Sequence, residues 1–349
     1  MKFKNIFLIL ALSLAFTACN NNNKDMANDD KKVTSDENAT KVNEKEEKST
    51  IYASFYPIYN LTKQIAGDKF EVKSFTNLKT ESHDWEPSAK DMAEVSKAKL
   101  MFINGAGMEE WEDSLKNSTD IELVNTSKDI DLIKASEEDH HDHDEDHDHE
   151  DTDHDHDEDH DHEDANEDEH HHHHGEYDPH LWLSPKNAIS QAKVIAEKLS
   201  EIDPSNKDYY MDNFKKIEDE LEALIAEYKE KFDGCENKNF LVNHKAFSYL
   251  AKDFSLNQIA LTSLTSTEET DAKTLKEASL KAKELNIKTI FYEMGSSDKN
   301  AKTLADEIGA DTKPLNTLEL ATDENIKNDT TYQELVRENL EAIYQSLVK

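Results

Sequence analysis

One stretch of this chain, from Glu137 to His174, has a composition that cannot contribute to a packed core. It contains 21 Asp or Glu residues and 14 of the chain's 17 histidines, and it has no Lys or Arg. Such a segment buries too little apolar surface to offset the conformational entropy that folding removes. We therefore expect a disordered loop, so that any fold must form from the chain on either side of it.

The same stretch, which we call the histidine tract, is suited to binding divalent metal ions. Neutral imidazole and carboxylate groups both bind zinc-like ions, and flexible neighbours can satisfy several coordination geometries. We expect several weak, exchangeable ions here instead of one defined site, and a solvated acidic spacer is the alternative interpretation. The histidines of this auxiliary metal loop are His140, His141, His143, His147, His149, His154, His156, His160, His162, His170, His171, His172, His173 and His174.

Residues 1–18 have the pattern of a signal peptide. A short basic region precedes an apolar core from Ile6 to Phe16, and this core is shorter than the roughly 20 residues of a membrane-spanning helix. Cys19 follows small residues and resembles the cysteine of a bacterial lipobox, so we expect it to carry a lipid. A plain secretory signal with an incidental cysteine is the alternative. Residues 19–49 have the polar composition of a disordered tether.

Charge and cysteine content restrict the partners and the ligand types. The net charge is −37, and −16 remains when the acids of the histidine tract are set aside. Such a surface repels nucleic acid and attracts cations. Apart from Cys19 only Cys235 is present, so the mature chain can form no intramolecular disulfide and no Cys-x-x-Cys zinc site. Histidine and carboxylate are therefore the expected metal ligands.

Strand and helix patterns alternate on both sides of the tract. The predicted strands are residues 51–55, 70–76, 100–104, 239–243 and 289–293. Helices are predicted over residues 89–98 and 299–308, and two further helices are predicted to end at Ala66 and at Phe254. Because this alternation is typical of largely parallel sheets, we predict an α/β protein with two similar lobes, residues 50–202 and 233–349.

Residues 203–232, between these lobes, predict one long amphipathic helix. Asp203 and Pro204 suit the start of a helix, and about 30 residues at 1.5 Å each would span about 45 Å. We predict that this helix joins the two lobes, and pairing with another helix in a coiled coil is the alternative. The apolar residues recur at intervals of three and four: Phe214, Ile217, Leu221, Leu224, Ile225, Tyr228 and Phe232.

Only three histidines, His83, His180 and His244, lie outside the histidine tract. His83 and His244 each follow a predicted strand, and His180 lies in a proline-bounded segment late in the first lobe. Ligands of α/β folds bind at the carboxyl ends of strands, so we expect the three to meet in the cleft between the lobes. Any one of them alone is more typical of a structural histidine, but together they predict a metal site.

The segments around these histidines resemble three motifs of the zinc-binding solute receptors of bacterial ABC transporters. The segments are Ser82–Ser88, Asp178–Pro185 and Asn243–Leu250. The resemblance extends over residues 50–349 and includes the long helix and the histidine-rich insertion before the second motif. It implies an extracytoplasmic receptor that is lipid-anchored to the cell membrane, holds metal between two lobes and has an ABC permease and its ATPase as partners.

The resemblance also implies the ligands, which are His83, His180, His244 and a fourth group from the second lobe. Many members supply a carboxylate from a segment like Leu315–Leu320, which makes Glu319 our choice. Glu293 is the second candidate and is expected to line the cleft, and water replaces the carboxylate in some relatives. Three imidazoles and a carboxylate are a typical zinc set, whereas manganese favours more oxygen.

We predict a monomeric receptor that captures Zn²⁺ and delivers it to the permease for high-affinity uptake, with no nucleic-acid partner and no catalytic residues. A receptor for manganese or another divalent metal is one alternative, and a zinc buffer or adhesin that works through the histidine tract is another. A zinc enzyme is the competing class. The chain contains neither His-Glu-x-x-His nor Gly-x-Ser-x-Gly, the motifs that would favour one.

Overall fold

The structure is a computed structural model that describes residues 48–83, 85–135, 176–262 and 272–349. The signal peptide, Cys19, the tether up to residue 47 and the histidine tract lie outside the described residues, so the interpretations given for them stay predictions. Within the described ranges, no helix is long and apolar enough to cross a membrane.

Strands and helices alternate along most of the described chain. The strands are β1 Thr50–Ala53, β2 Glu71–Ser74, β3 Leu100–Ile103, β4 Glu122–Asn125, β5 Asn239–His244, β6 Asn257–Thr262, β7 Thr289–Glu293 and β8 Asp311–Leu315. The helices are α1 Tyr56–Ala66, α2 Ala89–Val95, α3 Glu112–Ser118, α4 Pro185–Ile202, α5 Lys207–Asp233, α6 Ser248–Phe254, α7 Ala272–Glu284, α8 Lys299–Ile308, α9 Asp323–Asn328 and α10 Tyr332–Leu347.

The strands form two parallel four-stranded sheets with the same strand order. The first sheet is ordered β2-β1-β3-β4 and the second β6-β5-β7-β8. The inner strand β3 is buried at all four positions, as expected where helices cover both faces of a sheet, whereas the edge strand β2 alternates between exposed and half-buried residues. This architecture confirms the predicted α/β class with two similar lobes.

One apolar core continues from lobe to lobe. Phe55 of the first lobe, Phe232 of α5 and Phe240 of the second lobe are all buried in it, together with residues of α1, α4 and α10. Each lobe also has a smaller core on the outer face of its sheet. Moving the lobes apart would expose part of the shared core to water, so the fold favours small relative movements of the lobes.

The long helix begins later than the sequence predicts. α5 starts at Lys207, and a separate 3₁₀ turn occupies Pro204–Asn206. The cause is Asp203, which ends α4 and whose carboxylate accepts a 2.6 Å hydrogen bond from the Tyr210 hydroxyl. The apolar stripe of α5 then packs against α4, α1 and α10, and its fully or largely buried members are Tyr210, Phe214, Ile217, Leu221, Leu224, Tyr228 and Phe232.

Candidate metal centre

The three histidines outside the histidine tract meet at one point. The Nε2 atoms of His83 and His244 each lie 3.1 Å from Nε2 of His180. One ligand atom from each ring can be chosen so that all three lie within 4.8 Å of one another. Two nitrogens bound tetrahedrally to zinc at about 2.0–2.1 Å lie roughly 3.3 Å apart. The rings are therefore spaced as ligands of a single ion.

The fold brings these histidines together from separate segments. His244 is the last residue of β5, and His83 lies in the loop between β2 and α2. His180 directly precedes a 3₁₀ turn, Leu181–Leu183, that leads into α4. All three segments thus converge where the carboxyl ends of the strands face the cleft between the two sheets.

Glu319, from the second lobe, lies beside the three histidines. It follows β8, its side chain is only 1% exposed, and its Oε1 lies 3.6 Å from His83 Nε2. Neither carboxylate oxygen has a hydrogen-bond partner among the described residues. A buried carboxylate without donors is costly, so this side chain fits a position in which a cation compensates its charge.

His83 and Glu319 form a charge pair that a metal would displace. Burial disfavours the charged imidazole, but the adjacent Glu319 carboxylate outweighs this effect and raises the pKa of His83 to about 9. Burial also disfavours the charged carboxylate, but the neighbouring His83 holds the pKa of Glu319 well below its usual range. Without metal, His83 therefore carries a proton near neutral pH, and that proton must leave before Nε2 can bind an ion.

The other two histidines have carboxylates behind their rings. Asp178 Oδ1 lies 2.9 Å from His180 Nδ1 and also accepts the backbone N–H of His180 at 3.0 Å. Burial lowers the pKa of His180 in spite of this acidic partner. A neutral ring that donates Nδ1–H to Asp178 presents an unprotonated Nε2 to the site. Such carboxylate–histidine pairs fix the orientation and tautomer of metal ligands.

Glu293 stands behind His244 in the same way. Its Oε2 lies 3.3 Å from His244 Nδ1, whereas His244 Nε2 faces His180. Thr317 Oγ1 donates a 2.8 Å hydrogen bond to the other Glu293 oxygen. Of the two acids that the sequence offered as the fourth ligand, Glu319 thus lies beside Nε2 of His83, and Glu293 lies behind the ring of His244.

The segment that carries His180 is held mainly by residues of the second lobe. Trp182 Nε1 donates to the Thr317 carbonyl at 2.7 Å, and the Tyr332 hydroxyl donates to the Trp182 carbonyl at 2.6 Å. The Tyr249 hydroxyl donates to the Asp178 carbonyl at 2.8 Å. The sequence assigned this segment to residues 50–202, the first lobe, and gave no role to Asp178 or Thr317. The short spacing Asp-Pro-His was the available signal for Asp178.

Comparisons with known proteins agree with this arrangement. The family described as "Zinc-uptake complex component A periplasmic" matches residues 51–346. The high-affinity zinc uptake system protein ZnuA of Bacillus subtilis is 36% identical over 350 residues, which cover 99% of this chain and 98% of that protein. The zinc-binding lipoprotein AdcA of Streptococcus pneumoniae is 35% identical over 302 residues, which cover 86% of this chain but 56% of that protein.

A solved structure agrees as well. The crystal structure of the Zn(II)-bound ZnuA-like domain of Streptococcus pneumoniae AdcA is similar with a TM-score of 0.68 at 30% identity, covering 87% of this chain and 100% of that domain. The family match spans most of the chain, and the B. subtilis relative aligns over nearly its whole length. The chain therefore belongs to the family of the periplasmic component A of zinc-uptake complexes.

Proposed function

We propose that this chain is the extracytoplasmic receptor of a zinc uptake system, which captures Zn²⁺ in its cleft and delivers it to an ABC permease powered by an ATPase. The observation that carries this proposal is the cluster of three imidazole Nε2 atoms beside a buried carboxylate without hydrogen-bond donors. The zinc-related names of the relatives support the choice of metal.

The proposed ligands are His83, His180, His244 and Glu319. Three neutral imidazoles and one carboxylate form the nitrogen-rich tetrahedral set that zinc accepts, and nitrogen-rich sites bind zinc more tightly than manganese. Catalytic zinc sites usually keep one position open for water or substrate. In this proposal the buried Glu319 would take that fourth position, which favours a carrier over a hydrolytic enzyme.

Capture links the two lobes through the ion. His83 comes from the first lobe, whereas His244 and Glu319 come from the second, so zinc would replace the ion pair between His83 and Glu319. The ion thereby changes the contacts across the cleft, and a permease can distinguish loaded from empty receptor by that difference. The shared apolar core keeps the movement small.

The histidine tract serves in this proposal as an auxiliary collector that raises the local zinc concentration. Its flanks are described and paired: the Ala135 N–H donates to the Glu176 carbonyl at 3.1 Å, and the Asp178 N–H donates to the Ile133 carbonyl at 2.8 Å. Asp178 is also the carboxylate behind His180. The tract therefore leaves and rejoins the fold next to a proposed ligand.

Lipid on Cys19 would keep the receptor at the outer face of the cytoplasmic membrane, and we propose that it works there as a monomer.

The proposed role in uptake is tested by removing the gene from the source bacterium and measuring zinc accumulation in zinc-limited medium. The wild-type chain and an exposed-surface control, Lys216→Ala, should restore accumulation, whereas His180→Ala should not. Full restoration by His180→Ala, or a deficit in manganese in place of zinc, would refute the proposal.

A further inference from the structure

We propose that Thr317 is a positioning residue of this site, whose hydroxyl fixes the orientation of His244 through Glu293. The inference rests on the proposed function, because it assigns the device that holds one of the proposed ligands. The Thr317 hydroxyl donates its hydrogen bond to Glu293, so its proposed effect on His244 passes through that carboxylate.

The contacts form a chain from Thr317 to the metal-facing nitrogen. Thr317 Oγ1 donates to Glu293 Oε1 at 2.8 Å, and Glu293 Oε2 lies 3.3 Å from His244 Nδ1. A carboxylate accepts hydrogen bonds, so this contact favours the His244 tautomer that carries its hydrogen on Nδ1. The lone pair of Nε2 is then directed at the point where His180 and the other ligands meet.

Glu293 needs a second anchor to act in this way. It is the last residue of β7, it is half-buried at the edge of the cleft, and its long side chain has several accessible rotamers. The hydroxyl of Thr317 holds one of its oxygens and leaves the other for His244. Without that hydroxyl, the carboxylate would be free to turn toward the cleft.

The hydroxyl itself is held in place by the surrounding backbone. The Thr317 carbonyl accepts from Trp182 Nε1, and Asn339 bonds to both the N–H and the carbonyl of Asn316 at 3.0 and 2.6 Å. The Asn316 side chain accepts the N–H of Leu318 at 2.8 Å, where φ is +60°. Because the backbone is held and a β-branched side chain is restricted at χ1, few directions are available to the buried hydroxyl.

Thr317 is therefore connected to three of the proposed ligands, Glu319, His180 and His244. It lies two positions before Glu319, its carbonyl holds Trp182 two positions after His180, and its hydroxyl reaches His244 through Glu293. Of these connections, only the one to His244 uses the side chain of Thr317. A substitution at this position therefore tests the connection to His244 and leaves the backbone contacts in place.

The test compares Thr317→Val, which removes the hydroxyl but keeps the shape, with Thr317→Ser, which keeps the hydroxyl but loses the methyl group. Zinc affinity of the full mature chain is measured by competition with a chelator strong enough to strip weak sites, and the visible spectrum of the Co²⁺-loaded protein reports the geometry of the ligands. We expect Thr317→Val to weaken zinc binding about 10-fold, the lower end of the usual effect of outer-shell changes, and to alter the Co²⁺ bands. Thr317→Ser should stay within about 2-fold of wild type.

A double-mutant cycle with Glu293→Ala, which removes both side-chain oxygens, identifies the route. If Thr317 acts through Glu293, adding Thr317→Val to Glu293→Ala should cost little more than Glu293→Ala alone. Additive losses, equal weakening by Val and Ser, or wild-type affinity in Thr317→Val would each overturn the inference while His180→Ala still abolishes tight binding. A wild-type chain that holds no tight zinc would overturn both this inference and the proposed function.

Discussion

The two lobes share a strand order but hold their proposed ligands differently. In the second lobe, His244 ends a central strand with Glu293 behind its ring, and Glu319 follows a backbone segment clamped by Asn339. In the first lobe, His83 lies in a loop with a side chain 13% exposed, and its Nε2 lies 3.1 Å from His180 Nε2 and 3.6 Å from Glu319 Oε1. The second lobe is thus the preformed half of the site, and the first supplies the closing ligand.

The largest expected effect comes from removing one of the two histidines that have a carboxylate behind the ring, His180 or His244. His244→Ala and His180→Ala should each weaken zinc binding by more than about 100-fold, because a ligand matters more than an outer-shell partner. His83→Ala should cost less, since it also removes the proton that zinc must displace. Competition with a chelator measures the zinc affinity of the three variants. A larger loss of affinity in His83→Ala than in His244→Ala would contradict the assignment of the second lobe as the preformed half.

A smaller effect is expected from the carboxylate behind His180. Asp178→Ala removes the acceptor that holds both the ring and the backbone N–H of His180, and we expect affinity to fall roughly 10- to 100-fold. The comparison is Asp91→Ala, which removes a carboxylate at the start of α2 away from the cluster. Equal affinities of the Asp178 and Asp91 variants would show that His180 is oriented by packing alone.

The closing ligand should make zinc binding depend on pH. Because Glu319 raises the pKa of His83 to about 9, zinc must displace a proton below that pH, and affinity should rise with pH up to about 9 and be markedly poorer at pH 5. The same shift stabilises the metal-free fold fully below the unfolded-state value near 6.5, and this contribution is lost as the pH rises through 9.

The proton can be counted by calorimetry at pH 7.5 in two buffers of different ionisation enthalpy, using the chain without its histidine tract. We expect release of about one proton per zinc. The His83→Ala variant is the control and should release fewer. Equal enthalpies in both buffers for the unmutated site would mean that His83 is already neutral before zinc arrives.

The smallest effect is expected where the lobes touch at the surface. Lys63 pairs with Asp329 and Lys79 pairs with Asp323 across the cleft rim, but all four side chains are well exposed. Exposed ion pairs contribute little, so Lys63→Ala with Lys79→Ala should change the zinc dissociation constant less than about 2-fold. A change of 10-fold or more would mean that these pairs, and not the shared core, hold the lobes.

The sequence predicted the elements whose patterns follow from their own burial. Residues 100–104 and 289–293 are apolar runs because inner parallel strands are covered on both faces, and they correspond to β3 and β7. The predicted strand 70–76 is shorter in the structure, where β2 ends at Ser74. β8 was not predicted, because Lys313 and Pro314 are not typical of a strand. Both are tolerated here because β8 is an edge strand that pairs on one side only.

In the metal site, too, some residues could be predicted from local sequence, whereas others depend on contacts between distant parts of the chain. His83, His180 and His244 could be selected because each lies in a motif outside the histidine tract, and the structure brings them together. The role of Thr317 could not be selected, because its partner Glu293 is 24 positions away and the contact depends on the pairing of β7 with β8. Sequence patterns indicate which residues can bind metal, whereas the orientation of those residues depends on tertiary contacts.

The most direct test of a single cleft site is zinc titration of a mature chain that lacks residues 137–174. Ala135 and Glu176 are already paired, so Ser136 and Gly175 would remain as a two-residue turn of a type that glycine favours. We predict one tight zinc per chain, lost in His244→Ala and sharply weakened in Glu319→Ala. A deleted chain that binds no tight zinc would place the function in the histidine tract and contradict the cleft receptor.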